Sequence, residues 1–159
     1  MKRFLLALLL TALAANVAAA QDAKPVQLAL FDPVQVFKRD LDIAGLRLDI
    51  IYGRNANVTG LELGIVHHTT GMLKAISWGA VSYVEGDFRG WQESFVNIVK
   101  GEGKGLQMAA YSSSEKFTGL QFGFVNVAQN LHGLQIGFLN IAKNPDKKLK
   151  ILPIVNWAF

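Results

Sequence analysis

From residue 45 onward, apolar and polar residues alternate in a block that returns every 14 or 15 positions. The clearest copies are Gly-Leu-Gln-Phe-Gly at 119–123 and Gly-Leu-Gln-Ile-Gly at 133–137. Aligned on that block, the units start at Gly45, Gly60, Ala75, Gly90, Gly105, Gly119 and Gly133, in steps of 15, 15, 15, 15, 14 and 14. A fixed period of this kind marks one small structural unit copied many times. Within a unit the alternation has period two, as along a β-strand. In 119–128, Leu120, Phe122, Phe124, Asn126 and Ala128 share one face, and Gly119, Gln121, Gly123, Val125 and Val127 share the other. Two glycines in each such stretch disfavour helix by about 1 kcal/mol apiece. The chain is therefore predicted to be all-β. Arg54–Asn57, Glu85–Asp87, Lys100–Gly103 and Ser112–Ser114 supply the composition of turns or loops.

One position followed through every unit sharpens the pattern. The residue after the Leu is Arg47, Glu62, Ser77, Gln92, Gln107, Gln121 and Gln135, always polar. Two residues on stand Asp49, Gly64, Gly79, Ser94, Ala109, Gly123 and Gly137. The opposite face carries Leu46, Leu61, Ile76, Trp91, Leu106, Leu120 and Leu134. A face this apolar must be buried against protein or shown to lipid.

Two architectures meet that demand. In the favoured one, the strands form an antiparallel meander that closes as a small outer-membrane-type β-barrel, with Leu and Phe toward lipid. Seven repeat strands and a last strand at 150–159 make eight, the smallest usual barrel. Against it stand Pro153, which cannot donate a ladder hydrogen bond, and an outward apolar run of only three residues per strand, such as Leu120, Phe122 and Phe124. The alternative is a β-solenoid with 14–15-residue coils, in which the Leu, Phe and Ile rows form the core. It stacks Gln107, Gln121 and Gln135, and Asn126 with Asn140, into ladders available as a binding surface.

The chain stops at Phe159, and Trp157 and Val155 precede it at intervals of two. That ending resembles the C-terminal assembly signal of Gram-negative outer-membrane barrels. The unit Gly-Leu-Gln-x-Gly-x-x-Asn, at 119–126 and 133–140, resembles the surface-repeat proteins of Gram-negative bacteria. So do Pro25–Phe31 and Tyr52–Gly60. The resemblance covers nearly the whole of 21–159 and implies surface exposure. It implies no catalytic activity.

Lys2 and Arg3, the apolar Phe4–Ala15 and the small Ala18-Ala19-Ala20 have the layout of a cleavable export signal, which divides the chain at 20/21. Residues 21–44 form a segment before the repeats (an extra strand, a cap or a tether), and 45–159 form the repeat domain. The chain has no cysteine, so neither disulfides nor an N-terminal lipid-modified Cys are expected. Without Lys2 and Arg3, 14 basic residues face 12 acidic ones, and 14 − 12 = +2 is too small an excess to suggest a nucleic-acid surface.

No catalytic, cofactor or metal site is expected. His67 and His68 are adjacent and point to opposite faces of a strand. His132 lies between units. Ser112-Ser113-Ser114 has no histidine and acid to serve it, and Lys100–Gly105 lacks the ending of a phosphate loop. Trp78, Trp91 and Trp157 read as core or membrane-interface residues. Arg47, Asp49 and Glu62 fall at inward Gln or Gly positions and form a candidate lumenal polar cluster, either a bracing salt-bridge network or an ion-selective constriction. These readings predict a non-enzymatic, exported outer-membrane or cell-surface protein in a structural or surface-interaction role. Its expected partners are outer-membrane lipid and the barrel-assembly machinery. A small pore and a soluble or peripheral solenoid module are the alternatives.

Overall fold

The computed structural model describes residues 22–144 and 150–159; the expected export segment 1–20 lies outside them. The described chain contains no helix. Its strands are β1 (Lys24–Phe31), β2 (Val34–Gln35), β3 (Ile43–Asn55), β4 (Val58–Thr69), β5 (Leu73–Trp78), β6 (Val81–Val84), β7 (Phe88–Glu93), β8 (Val96–Ala142) and β9 (Lys150–Ala158).

Consecutive units pair side by side in parallel and in register. Gly45 lies opposite Gly60, Gly60 opposite Ala75, Ala75 opposite Gly90, and Gly90 opposite Gly105. Each 15-residue unit turns a corner at its middle and supplies a second ladder, as in Val66–Val81–Val96. This is a β-solenoid. The expected antiparallel barrel is incorrect: a meander reverses direction at each strand, whereas here every unit returns to the same starting edge before the next begins. β8 runs for 47 residues and winds past itself, and the turn-like compositions at Lys100–Gly103 and Ser112–Ser114 are part of its extended path. The segment before the repeats adds β1, parallel to β3, as one more rung.

Glycine at the unit start follows from how closely the rungs approach. Gly119 has φ +130°, and a Cβ there would stand 2.1 Å from the carbonyl oxygen of Gly105. The same backbone recurs at Gly60, Gly90, Gly105 and Gly133.

The core reverses the expected sides. The polar row faces inward: Gln27, Arg47, Glu62, Ser77, Gln92, Gln107, Gln121, Gln135 and Asn156 are all fully buried. The Leu, Trp and Phe rows face outward, with Trp91 37%, Phe122 48% and Phe124 60% exposed. The solenoid was thus expected with its two faces exchanged, and its glutamine ladder is core rather than binding surface. An amide can line the interior because it both donates and accepts, so a single glutamine per coil satisfies its neighbours above and below. Asn156 donates to Gln135, Gln135 to Gln121, Gln121 to Gln107, Gln107 to Gln92, and Gln92 to Ser82, at 2.6–2.9 Å. Apolar packing forms one column along the axis, divided into two clusters near Gly103. One cluster contains Ile43, Val58, Leu73 and Phe88, the other Phe117, Ala128 and Leu131.

β9 reverses direction and pairs antiparallel with the last coil, Gly133 opposite Ala158 and Ala142 opposite Lys150. Pro153 falls within the register shift where β9 takes the corner, so no ladder bond is lost there. Of Val155, Trp157 and Phe159, read as an assembly signal, Val155 and Trp157 lie on this closing strand and Phe159 follows it, with Trp157 and Phe159 exposed. Asn156 points inward and ends the glutamine ladder.

Candidate functional site

In the first coils the inward polar row changes from amides to charges. Asp49, two residues beyond Arg47 on the same strand, points to the same side, and Glu62 is the next rung of the Arg47 row. Arg47 Nε donates to Asp49 Oδ2 at 2.8 Å, and Arg47 Nη2 lies 3.0 Å from Glu62 Oε1. Arg47 Nη1 donates to the carbonyl of His68 and to Thr69 Oγ1, each at 3.3 Å. Ser77 donates its hydroxyl to Glu62. All three charged side chains are fully enclosed.

The structure adds a fourth member, His67. Its Nδ1 donates to Asp49 Oδ2 at 2.7 Å, and its Nε2 donates to the carbonyl oxygen of Trp78 at 3.0 Å. A carboxylate and a carbonyl only accept, so both ring nitrogens carry protons and the ring is an imidazolium. Burial disfavours that charge, but Glu62 and the hydrogen-bonded Asp49 outweigh it and raise the His67 pKa above its ordinary value. Two cations then face two anions and the quartet is neutral, as a buried ionic group must nearly be. Neighbouring glycines make room for it. A Cβ on Gly53 would overlap Asp49 Oδ1, and one on Gly79 would lie 2.6 Å from His67 Nε2.

Asp49, Glu62 and His67 bring ligand-type atoms within 4.8 Å of one another. They do not fit a divalent cation. The imidazolium has no free lone pair, and the Arg47 guanidinium already occupies the space between the carboxylates. Arg47, Asp49, Glu62 and His67 form one buried network of salt bridges and hydrogen bonds.

His68 points outward. Tyr52 donates its hydroxyl to His68 Nδ1 at 2.7 Å, and His68 Nε2 lies 2.7 Å from Glu85 Oε1. Tyr83 meets the His68 ring edge-on at 5.1 Å between centroids. Burial raises the Tyr52 pKa, which keeps the phenol a donor rather than a nucleophile. His132 is exposed, beside the ring of Phe159. Ser112 and Ser114 point into the solenoid, where Ser114 donates to Gln107 Oε1 at 3.1 Å.

Sequence reasoning placed Arg47, Asp49 and Glu62 in one inward cluster and missed His67. The signal lay in the Asn of the repeat unit. Counted back from Asn140 and Asn126 through Ser112, Asn97 and Ser82, that inward position in the Gly60 unit is His67.

No protein-family model, curated protein or solved structure matches this chain.

Proposed function

We propose that this is a non-enzymatic, exported cell-surface repeat protein with a structural or surface-interaction role. One observation carries the reading: the inward polar row, from Arg47 and Glu62 to Gln135, is bonded within the solenoid, while the Leu, Trp and Phe rows face out. A contiguous apolar face of this kind marks an interaction surface. The export pattern at Lys2–Ala20 and the resemblance to Gram-negative surface-repeat proteins support the location. Against the pore alternative, the inward side chains of the described coils are buried, and the glutamine row is hydrogen-bonded from coil to coil.

Fractionation of Gram-negative cells expressing the full chain tests the proposal. The expected result is a mature form beginning at Gln21 in the envelope, digested by protease added to intact cells. An unprocessed chain in the cytoplasm would overturn it.

A further inference from the structure

The outward side of the first ladder is a continuous plane across nine rungs. One row consists of Val26, Leu46, Leu61, Ile76, Trp91, Leu106, Leu120, Leu134 and Trp157. The row beside it begins at Leu28 and passes through Leu63, Trp78, Met108, Phe122 and Ile136 to Val155. At about 4.8 Å per rung the plane is roughly 38 Å long. Glu93 is the one acid in it, and its carboxylate accepts from Trp78 Nε1 at 3.0 Å.

A third outward row borders the plane: Thr59, Lys74, Arg89, Lys104, Thr118 and His132. Lys74, Arg89 and Lys104 are exposed on successive rungs, and among the described residues none forms an ion pair. Three like charges about 4.8 Å apart repel one another unless a partner brings anions at similar density. The partner must also offer hydrocarbon directly beside those anions. All three tryptophans of the chain lie on this plane, Trp78 and Trp91 with centroids 5.7 Å apart, and tryptophan favours the boundary between headgroups and acyl chains.

We infer that this face lies on a bilayer surface rich in anionic lipid, with Lys74, Arg89 and Lys104 against lipid phosphates and the Leu–Trp rows at the acyl boundary. The inference rests on the proposed surface-interaction role and names its partner. Adsorption of a flat face differs from spanning: no strand crosses the bilayer.

Tryptophan quenching in vesicles of brominated lipid reads this face alone, because residues 1–20 contain no tryptophan. The full chain should be quenched by brominated phosphatidylglycerol vesicles and far less by brominated phosphatidylcholine, and high salt should reverse the effect. The triple variant Lys74→Gln, Arg89→Gln, Lys104→Gln alters only exposed side chains. It should need roughly a hundredfold more anionic lipid for half-quenching, at about fivefold per basic group. Vesicle binding without quenching, or quenching indifferent to lipid charge and to the triple variant, would overturn the inference. Quenching only on addition of a second protein would place a polypeptide on the face instead and overturn it equally. Envelope location by fractionation would survive any of these failures, so the two readings fail separately.

Discussion

Gln121 donates its side-chain amide to Gln107 Oε1 at 2.9 Å, fourteen residues away, with both side chains fully buried. That bond repeats along the solenoid and makes its core an amide column. Gln121→Leu keeps the volume but leaves Gln135 without its ladder acceptor and removes a donor from Gln107. A loss of about 1–3 kcal/mol in urea denaturation is expected. An unchanged midpoint would mean that the column contributes shape rather than bonding.

Arg47→Met strips the two buried carboxylates of their shared guanidinium. Leaving an uncompensated buried charge costs about 3–5 kcal/mol, so this variant should be far less stable than a substitution at an exposed arginine such as Arg39. Chemical denaturation of the two variants side by side measures the difference.

The imidazolium of His67 makes stability depend on pH. Its native pKa lies above the value of 6.5 expected unfolded, so the native state holds its proton more tightly. The stabilisation is fully present below about pH 6.5 and is lost as pH rises through the native pKa. Denaturation midpoints should fall on the alkaline side in the natural chain, and His67→Gln should flatten that slope. A slope that survives the substitution would assign it to another group.

Gly103 replaces the large apolar residue that Val58, Leu73 and Phe88 supply in earlier coils, and a Cβ there would stand 2.7 Å from the Phe117 ring. Gly103→Ala should cost about 1–3 kcal/mol by overpacking. Adding Phe117→Leu should recover part of that loss, which a double-mutant cycle would detect as coupling.

The period, the alternation and the vertical stacking of Gln107, Gln121 and Gln135 were legible because each is a property of residue spacing alone. Parallel against antiparallel was not. The same alternation fits both, and the decision lies in the mid-unit corner, where Gly64 and Ile65 sit within a continuous strand and no cluster of turn residues marks the bend. Inside and outside were exchanged because apolar residues are ordinarily buried. A column of Gln121-type amides escapes that rule, since its polar groups are satisfied within the column. His67 went unrecognised because its contact with Asp49 spans one coil and a bulge between Asp49 and Tyr52, where the register shifts.

The solenoid is open, and its first and last rungs lie far apart. Val26 and Trp157 are both exposed and occupy the same outward row, and the natural chain has no cysteine. Spin labels on the double variant Val26→Cys, Trp157→Cys can therefore be read by pulsed dipolar spectroscopy. Eight rung spacings predict a separation of about 38 Å. A separation of roughly 10 Å, two strand spacings, would mean that the ends meet as in a closed barrel and would contradict the account.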